Sequence, residues 1–111
     1  MEVITTEYPM CNLIKARGRV DSATANQLAE AFEALNKAGK YRIALDMSEI
    51  DYISSAGLRA LINAQKNSKR AQDGSVVLAC VPKRIYEVID LAGFVPLFKF
   101  FNDVAAALES F

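Results

Sequence analysis

Residues 42–61 constrain the fold of this chain more than any other segment. An apolar run at residues 43–47 is bounded by charged residues and predicts a strand buried on both faces of a parallel sheet. A short acidic turn follows, and Ser54 and Ser55 then stand directly before a helical pattern. Ligands and partners of open α/β sheets meet the carboxyl ends of the strands. The segment therefore predicts that the two serines lie at a binding edge.

The local chemistry of the two serines supports two interpretations. Serine is a favoured N-cap, because its hydroxyl accepts a hydrogen bond from an unpaired backbone N–H of the first helical turn, and capping alone is the simpler interpretation. The same position tolerates phosphorylation, since the positive end of the helix dipole accommodates an added charge of roughly −1.5 to −2. Gly57 is a poor helix former, and we interpret it as permitting the close approach of another chain.

The residues on either side of the serines match a known signature. They are Leu45, Asp46 and Met47, followed by Ile53, Ser54, Ser55, Ala56, Gly57 and Leu58. This stretch resembles the small bacterial anti-sigma factor antagonists of the STAS domain family, in which a strand ending in Asp or Asn precedes D-S-[ST]-G-[LI]. The resemblance implies that Ser55, two residues before the glycine, is the phosphorylated residue. The chain departs from the signature at Ser54, where the family often has Asp, and at Ala56, where it often has Ser or Thr.

Hydrophobic periodicity and turn residues predict the remaining elements. Before the central strand, they are an edge strand at 2–8 that turns at Pro9 and Met10, a strand at 11–16 broken at Gly18, and a helix capped by Asp21 or Ser22 that stops at Gly39. After the central strand come a helix from about Ser55 to Arg70, a strand at 75–81 and a helix from Pro82 to Gly93. The chain then forms a short strand around Phe98 and a final helix, which is capped by Asn102 and packed through Val104, Leu108 and Phe111. The order predicts an α/β fold with a mixed sheet of four to five strands and about four helices. It is compatible with the STAS fold, and we expect a single STAS domain over residues 1–111.

Two further segments match the same family. They are G-x-[VL]-D at residues 18–21 and [AS]-G-[FL] at residues 92–94. The resemblance implies that the loop at Asp21 lies close to the phosphorylated serine and joins the partner-binding face. Arg59 and Asn63 share the outward face of the first helical turns with the serines. The candidate partner-binding residues are therefore Asp21, Ser22, Ser54, Ser55, Ala56, Gly57, Leu58, Arg59 and Asn63.

Composition excludes several classes of function. The chain has 13 basic and 13 acidic residues, so no net field attracts nucleic acid or an anionic membrane. It has no histidine, which removes Ser-His triads and imidazole metal sites, and two isolated cysteines cannot form a zinc site. No apolar segment reaches the length of about 20 residues that a membrane helix needs. We expect a cytoplasmic, soluble and monomeric regulatory protein with no enzymatic activity, cofactor or metal.

Three functions are compatible with the sequence. By resemblance, the unmodified chain binds an anti-sigma factor with serine/threonine kinase activity and thereby frees a sigma factor; phosphorylation of Ser55 ends the binding and a serine phosphatase restores it. Alternatively, the chain is a constitutive STAS interaction subunit of a transport or stress-signalling complex. A remote alternative is a receiver-like phosphoacceptor that uses Asp46, although the first strands lack the acidic pair that such domains need to hold Mg²⁺.

Overall fold

The computed structural model describes residues 1–111 and contains one five-stranded sheet with four α-helices. The strands are β1 (Glu2–Glu7), β2 (Asn12–Val20), β3 (Arg42–Ile53), β4 (Ser75–Ala79) and β5 (Phe100–Phe101). The helices are α1 (Ala25–Lys37), α2 (Ser55–Lys69), α3 (Lys83–Leu91) and α4 (Val104–Glu109). The strand order is β1-β2-β3-β4-β5, with β1 antiparallel to β2 and all later neighbours parallel. The predicted α/β class and mixed sheet are confirmed.

The main core lies between one face of the sheet and helices α1, α2 and α3. Alternate residues of the central strands point into it, among them Ile43 and Leu45 of β3, which are fully buried. Leu28 of α1, Leu61 of α2 and Ile89 of α3 meet these strand residues in one apolar cluster. The parallel strands are joined by these helices, as crossovers between parallel strands require.

The opposite face of the sheet is covered only in part. Ala107 of α4 packs against Ala44, Val77 and Ala79, whose small side chains let the short helix come close to the sheet. The prediction that residues 43–47 form a strand buried on both faces is confirmed, because Ala44 faces α4 while its neighbours face the main core.

Charged side chains lie on the part of this face that belongs to strands β1, β2 and β3. The carboxylate of Glu49 is 2.9 Å from Nζ of Lys15 and 3.1 Å from the guanidinium of Arg17. Arg17 also lies 3.3 Å from Glu2 on β1. These contacts link the three strands. The hydrogen bonds from Lys15 and Arg17 are the main cause that lowers the pKa of Glu49.

The central strand is longer than predicted, and the predicted acidic turn is wrong. β3 continues through residues 48–51 to Ile53 because β2 runs beside it as far as Val20. Two register irregularities in this pairing let the strands stay together, and Gly18 lies at the second with φ +108°. The sequence pattern indicated that Gly18 ends this strand, but β2 continues through Gly18 to Val20, and the glycine permits its irregular backbone.

Several predicted boundaries in the second half of the chain also move. β4 ends at Ala79 because Cys80 adopts a left-handed φ of 57°, and Pro82 is the N-cap of α3, one residue before the helix. A 3-10 turn at Val95–Leu97 displaces the last strand from Phe98 to β5. Asp103 caps α4 in place of Asn102, since its Oδ1 accepts a 2.7 Å hydrogen bond from Ala106 N–H.

Both cysteines are free thiols. Cys11 is buried directly before β2, and Cys80 is half-buried directly after β4. Burial raises the pKa of each thiol, and the nearby carboxylates of Asp46 and Asp103 raise that of Cys80 further. Both side chains therefore remain protonated near neutral pH. None of the four α-helices combines the length with the apolar character that spanning a bilayer requires.

Gln65 supplies polar partners to the outer edge of β4. β5 pairs only with Leu78 and Ala79, so the earlier part of that edge has no neighbouring strand. The buried amide of Gln65, reaching from α2, donates to Val76 C=O at 3.0 Å and accepts from Val76 N–H at 2.7 Å. It also donates to Leu97 C=O at 2.7 Å. One side chain thus replaces a missing strand and anchors the 3-10 turn.

Replacing Gln65 with Met tests this role. The variant keeps the side-chain length but leaves the polar groups of Val76 without their partner, and an unsatisfied buried group costs about 1–3 kcal/mol. We expect Gln65→Met to lower the free energy of unfolding by about 2–3 kcal/mol in urea titrations. Lys66→Met, at the exposed neighbouring position, should change it by less than about 0.5 kcal/mol. Equal urea midpoints for the two variants would contradict the role.

The Glu49 ion pairs predict a pH dependence of stability. A carboxyl whose pKa is lowered by folding stabilises the protein above its unfolded pKa, and this contribution is lost as the pH falls through the folded pKa. We expect the wild type to be more stable than Glu49→Gln at about pH 7 and the difference to disappear well below the usual glutamate pKa of about 4.3. Urea midpoints measured across this range provide the test. Asp51→Asn removes an exposed carboxyl of the same strand that forms no ion pair, so its stability should differ little from that of the wild type across the range.

Candidate functional site

The candidate site begins where β2 and β3 end together. Val20 and Ile53 are paired in the last register of the two strands, and Ser54 N–H donates a 2.8 Å hydrogen bond to Val20 C=O. This bond carries the strand pairing one residue beyond β3. It brings the loop after β2, which begins at Asp21, beside the first turn of α2.

Ser54 and Ser55 have different roles in this turn. Ser54 is the N-cap of α2, with extended backbone, and its Oγ accepts a 3.3 Å hydrogen bond from Gly57 N–H. Ser55 is the first helical residue and its side chain is exposed. The capping interpretation is therefore confirmed for Ser54. The hydroxyl of Ser55 stays free for a reaction or a partner.

Gly57 is required by packing inside the chain. A Cβ at this position would lie 2.7 Å from Val20 Cγ1, 2.7 Å from Ile53 Cγ1 and 3.0 Å from Val20 C=O. Such distances are too short for a carbon contact. The close approach inferred from the sequence thus occurs between α2 and the strand ends of the same chain, and it fixes where the first turn of α2 sits.

The other candidate residues of α2 divide between the core and the surface. Leu58 is 8% exposed and belongs to the main core, and Ala56 is half-buried against it. Arg59 and Asn63 are exposed, and with Ser55 they follow the four-residue spacing of one helix face. The candidate residues that α2 leaves exposed are therefore Ser55, Arg59 and Asn63, while Gly57 and Leu58 hold this exposed surface in place.

The loop after β2 is closed by reciprocal hydrogen bonds between Asp21 and Thr24. Asp21 Oδ1 accepts from Thr24 N–H at 3.2 Å and from Ala23 N–H at 3.0 Å, while Asp21 N–H donates to Thr24 Oγ1 at 2.9 Å. Partial burial opposes ionisation of Asp21, but these hydrogen bonds outweigh it and lower its pKa. The exposed Ser22 is carried on this loop. The predicted helix cap at Asp21 or Ser22 is wrong, because α1 begins at Ala25 and Thr24 is its N-cap; Asp21 instead closes the turn before the helix.

Sequence reasoning missed Thr24 and a pair of residues beside the site. The guanidinium of Arg19 lies 4.2 Å from the ring centroid of Tyr52 and 3.7 Å from Asp21. Thr24 Oγ1 donates to Arg19 C=O at 2.7 Å. The D-x-x-T spacing signals the loop contact, but the Arg19–Tyr52 pair depends on strand register and has no local signal.

Asp46 lies inside β3 and not at its end, so the sequence prediction is wrong on this point. Its side chain is 6% exposed, and its Oδ1 accepts a 3.0 Å hydrogen bond from Ser48 N–H at the first register irregularity. The carboxylate thus supports the irregular backbone of β3. The chain contains no cluster of three or more metal-ligating side chains.

The site is an exposed surface without a deep cavity. A groove of about 550 Å³ lies between the C-terminal ends of α1 and α2, away from Ser55. It is lined by Glu33, Asn36, Lys37, Tyr41, Asn67, Arg70 and Ala71. A macromolecular partner suits the surface at Ser55 better than a small ligand, since small molecules bind in concave pockets.

The different roles of the two serines predict different effects on stability. Ser54→Ala removes the cap of α2 and should lower the free energy of unfolding by about 1 kcal/mol. Ser55→Ala removes an exposed hydroxyl and should change it by less than about 0.5 kcal/mol. Urea unfolding measures the free energy of unfolding of both variants, which differ only at neighbouring positions of one helical turn. A larger loss for Ser55→Ala than for Ser54→Ala would contradict the assignment of the cap.

Comparison with known proteins places the chain in a family. The family model of the STAS domain matches residues 2–107. The chain is 37% identical over 95 residues to BtrV of Bordetella bronchiseptica, named as a candidate anti-sigma factor antagonist, and the match covers 86% of this chain and 81% of that protein.

Two solved structures share the fold. One, of a candidate anti-sigma factor antagonist from Thermotoga maritima, has a TM-score of 0.89 at 16% identity and covers 97% of this chain and 92% of that one. The other, of the anti-sigma factor antagonist SpoIIAA in its unphosphorylated form, has a TM-score of 0.82 at 14% identity and covers 98% and 95%. The predicted resemblance is confirmed: the chain belongs to the STAS domain family.

Proposed function

We propose that this chain is an anti-sigma factor antagonist whose binding surface is controlled by phosphorylation of Ser55. The unmodified protein binds an anti-sigma factor through the exposed residues of α2 and the adjoining loop at Asp21. Binding occupies the anti-sigma factor and frees its sigma factor. The observation that carries the proposal is that the two serines have different roles: Ser54 caps α2, and Ser55 presents a free hydroxyl.

The surroundings of Ser55 suit a reversible phosphate. The first turn of α2 contains no acidic residue, so a phosphate on Ser55 would meet no like charge within that turn. The positive end of the helix dipole would favour it. Because Ser55 is exposed and Ser54 makes the cap, the modification changes the surface while the fold is retained.

The same phosphate opposes binding. It adds roughly −1.5 to −2 charge to a surface that must lose water when a partner docks. An unpaired charge buried in an interface costs several kcal/mol. Phosphorylation therefore acts as a switch that weakens the complex without unfolding either protein.

The chain is the substrate of a kinase in this switch. The partner is an anti-sigma factor with serine/threonine kinase activity, which transfers the γ-phosphoryl group of ATP to Ser55 Oγ and releases ADP and the hydroxyl proton. A serine phosphatase hydrolyses the ester and restores the unmodified surface. The 37% identity to BtrV supports the antagonist function. SpoIIAA, which shares the fold, has also been solved in a phosphorylated form, with a TM-score of 0.76 at 13% identity.

Binding measurements with the anti-sigma factor of the same organism test the proposal. Ser55→Asp places a negative charge at the switch position and should raise the Kd by about 100-fold or more, equivalent to about 3 kcal/mol. Ser110→Asp makes the same change at the exposed C-cap of α4 and should leave the Kd unchanged. Equal affinities of wild type and Ser55→Asp would reject the switch.

Mass spectrometry of the protein from its native cells tests the modification itself. We expect a phosphate on Ser55 that resists hydroxylamine, and none on Ser54, whose hydroxyl is half-buried in the cap. A hydroxylamine-labile phosphate on Asp46 would support the receiver-like alternative. A chain that is never phosphorylated under any growth condition would support a constitutive interaction subunit.

A further inference from the structure

Arg59 is an exposed cation without an ionic partner. Six ion pairs are formed in the protein, and none includes Arg59. Arg19, the other arginine near the site, is already engaged by Asp21 and by the ring of Tyr52. The side chain of Arg59 is therefore held by no ion pair and is free to reorient.

The spacing of Arg59 matches the switch position. Ser55 and Arg59 are four residues apart in α2, and both side chains are exposed. Side chains at this spacing are neighbours on a helix surface, with Cβ atoms about 5–6 Å apart. The order is also favourable, because an acidic group N-terminal to a basic one gives the better helix pair.

We propose that, once Ser55 is phosphorylated, the guanidinium of Arg59 binds the phosphate and is withdrawn from the partner-binding surface. This inference rests on the proposed function, since it describes the modified state of the same site. Arginine suits the role because its planar guanidinium donates two parallel hydrogen bonds to phosphate oxygens. The positive end of the helix dipole and the guanidinium of Arg59 then both stabilise the phosphate.

Phosphorylation consequently changes the binding surface in two ways. The phosphate adds negative charge at Ser55, and it also removes a free cation that could meet a carboxylate of the partner. Aspartate is shorter than phosphoserine and carries less charge, so Ser55→Asp reaches Arg59 less well. The substitution should therefore weaken partner binding less than the true modification does.

The ion pair can be tested without a kinase or a partner. Phosphoserine is installed at position 55 during translation, in the wild type and in an Arg59→Gln background. We expect phosphorylation to raise the Tm of the wild type relative to its effect in Arg59→Gln by about 1–4 °C at low salt. The difference should shrink at about 1 M salt, where exposed charges are screened. In the NMR spectrum of the wild type, the Nε–H resonance of Arg59 should shift on phosphorylation and exchange more slowly with water.

Two backgrounds serve as controls. Arg70→Gln removes the same side chain at the C-cap of the same helix and should leave the effect of the phosphate as in the wild type. Arg59→Lys keeps the charge and should retain only part of the effect, because lysine cannot form the bidentate contact. An identical Tm effect of phosphate in wild type and Arg59→Gln, with an unchanged Arg59 resonance, would overturn the inference.

A failure of the Arg59 ion pair gives different results from a failure of the proposed function. If the phosphorylated protein still bound its anti-sigma factor tightly, the proposed switch would fail, although the ion pair would still be measured. If binding were lost on phosphorylation equally in wild type and Arg59→Gln and the Tm effects were identical, the switch would stand and the role of Arg59 would be rejected.

Discussion

The parallel pairing of β2 with β3 up to their common end is the constraint on which the site depends. It sets Val20 beside Ile53, and the hydrogen bond from Ser54 N–H to Val20 C=O extends the pairing into the start of α2. Two distant parts of the sequence, the Asp21 loop and the serine pair, become neighbours only through this bond and this register. A slip of one residue would turn every side chain of the strand end to the other face.

The first turn of α2 is held by contacts that leave Ser55 untouched. Gly57 lets the helix lie directly on Val20 and Ile53, Leu58 enters the core, and Ser54 satisfies a backbone N–H. Each of these residues serves the fold. A charge added at Ser55 would therefore have little effect on the packing beneath it, which is what the proposed switch requires.

Polar side chains complete the parts of the sheet that regular pairing leaves open. The amide of Gln65 takes the place of a strand at the edge of β4, and the carboxylate of Asp46 supports the irregular backbone at Ser48. The pairs that Glu49 forms with Lys15 and Arg17 lie on the part of the sheet where charged residues replace an apolar cover. The irregular sheet is thus supported by specific side chains as well as by its apolar core.

The sequence alone determined the class of fold, the element order, the central buried strand and the serine cap, because these depend on periodicity and on chemistry within a few residues. It did not determine that β3 continues through an acidic segment to Ile53, since only pairing with β2 makes that segment a strand. Nor did it reveal that the need for glycine at position 57 arises inside the chain, or that Arg19 lies over Tyr52. Apart from the contact of Gly57 with Ile53, these contacts join residues more than 30 positions apart and depend on strand register, for which a local pattern carries no information. The sequence thus supplied the chemical groups of the candidate site, and the tertiary structure decided which of them are exposed at the surface and which hold the site in place.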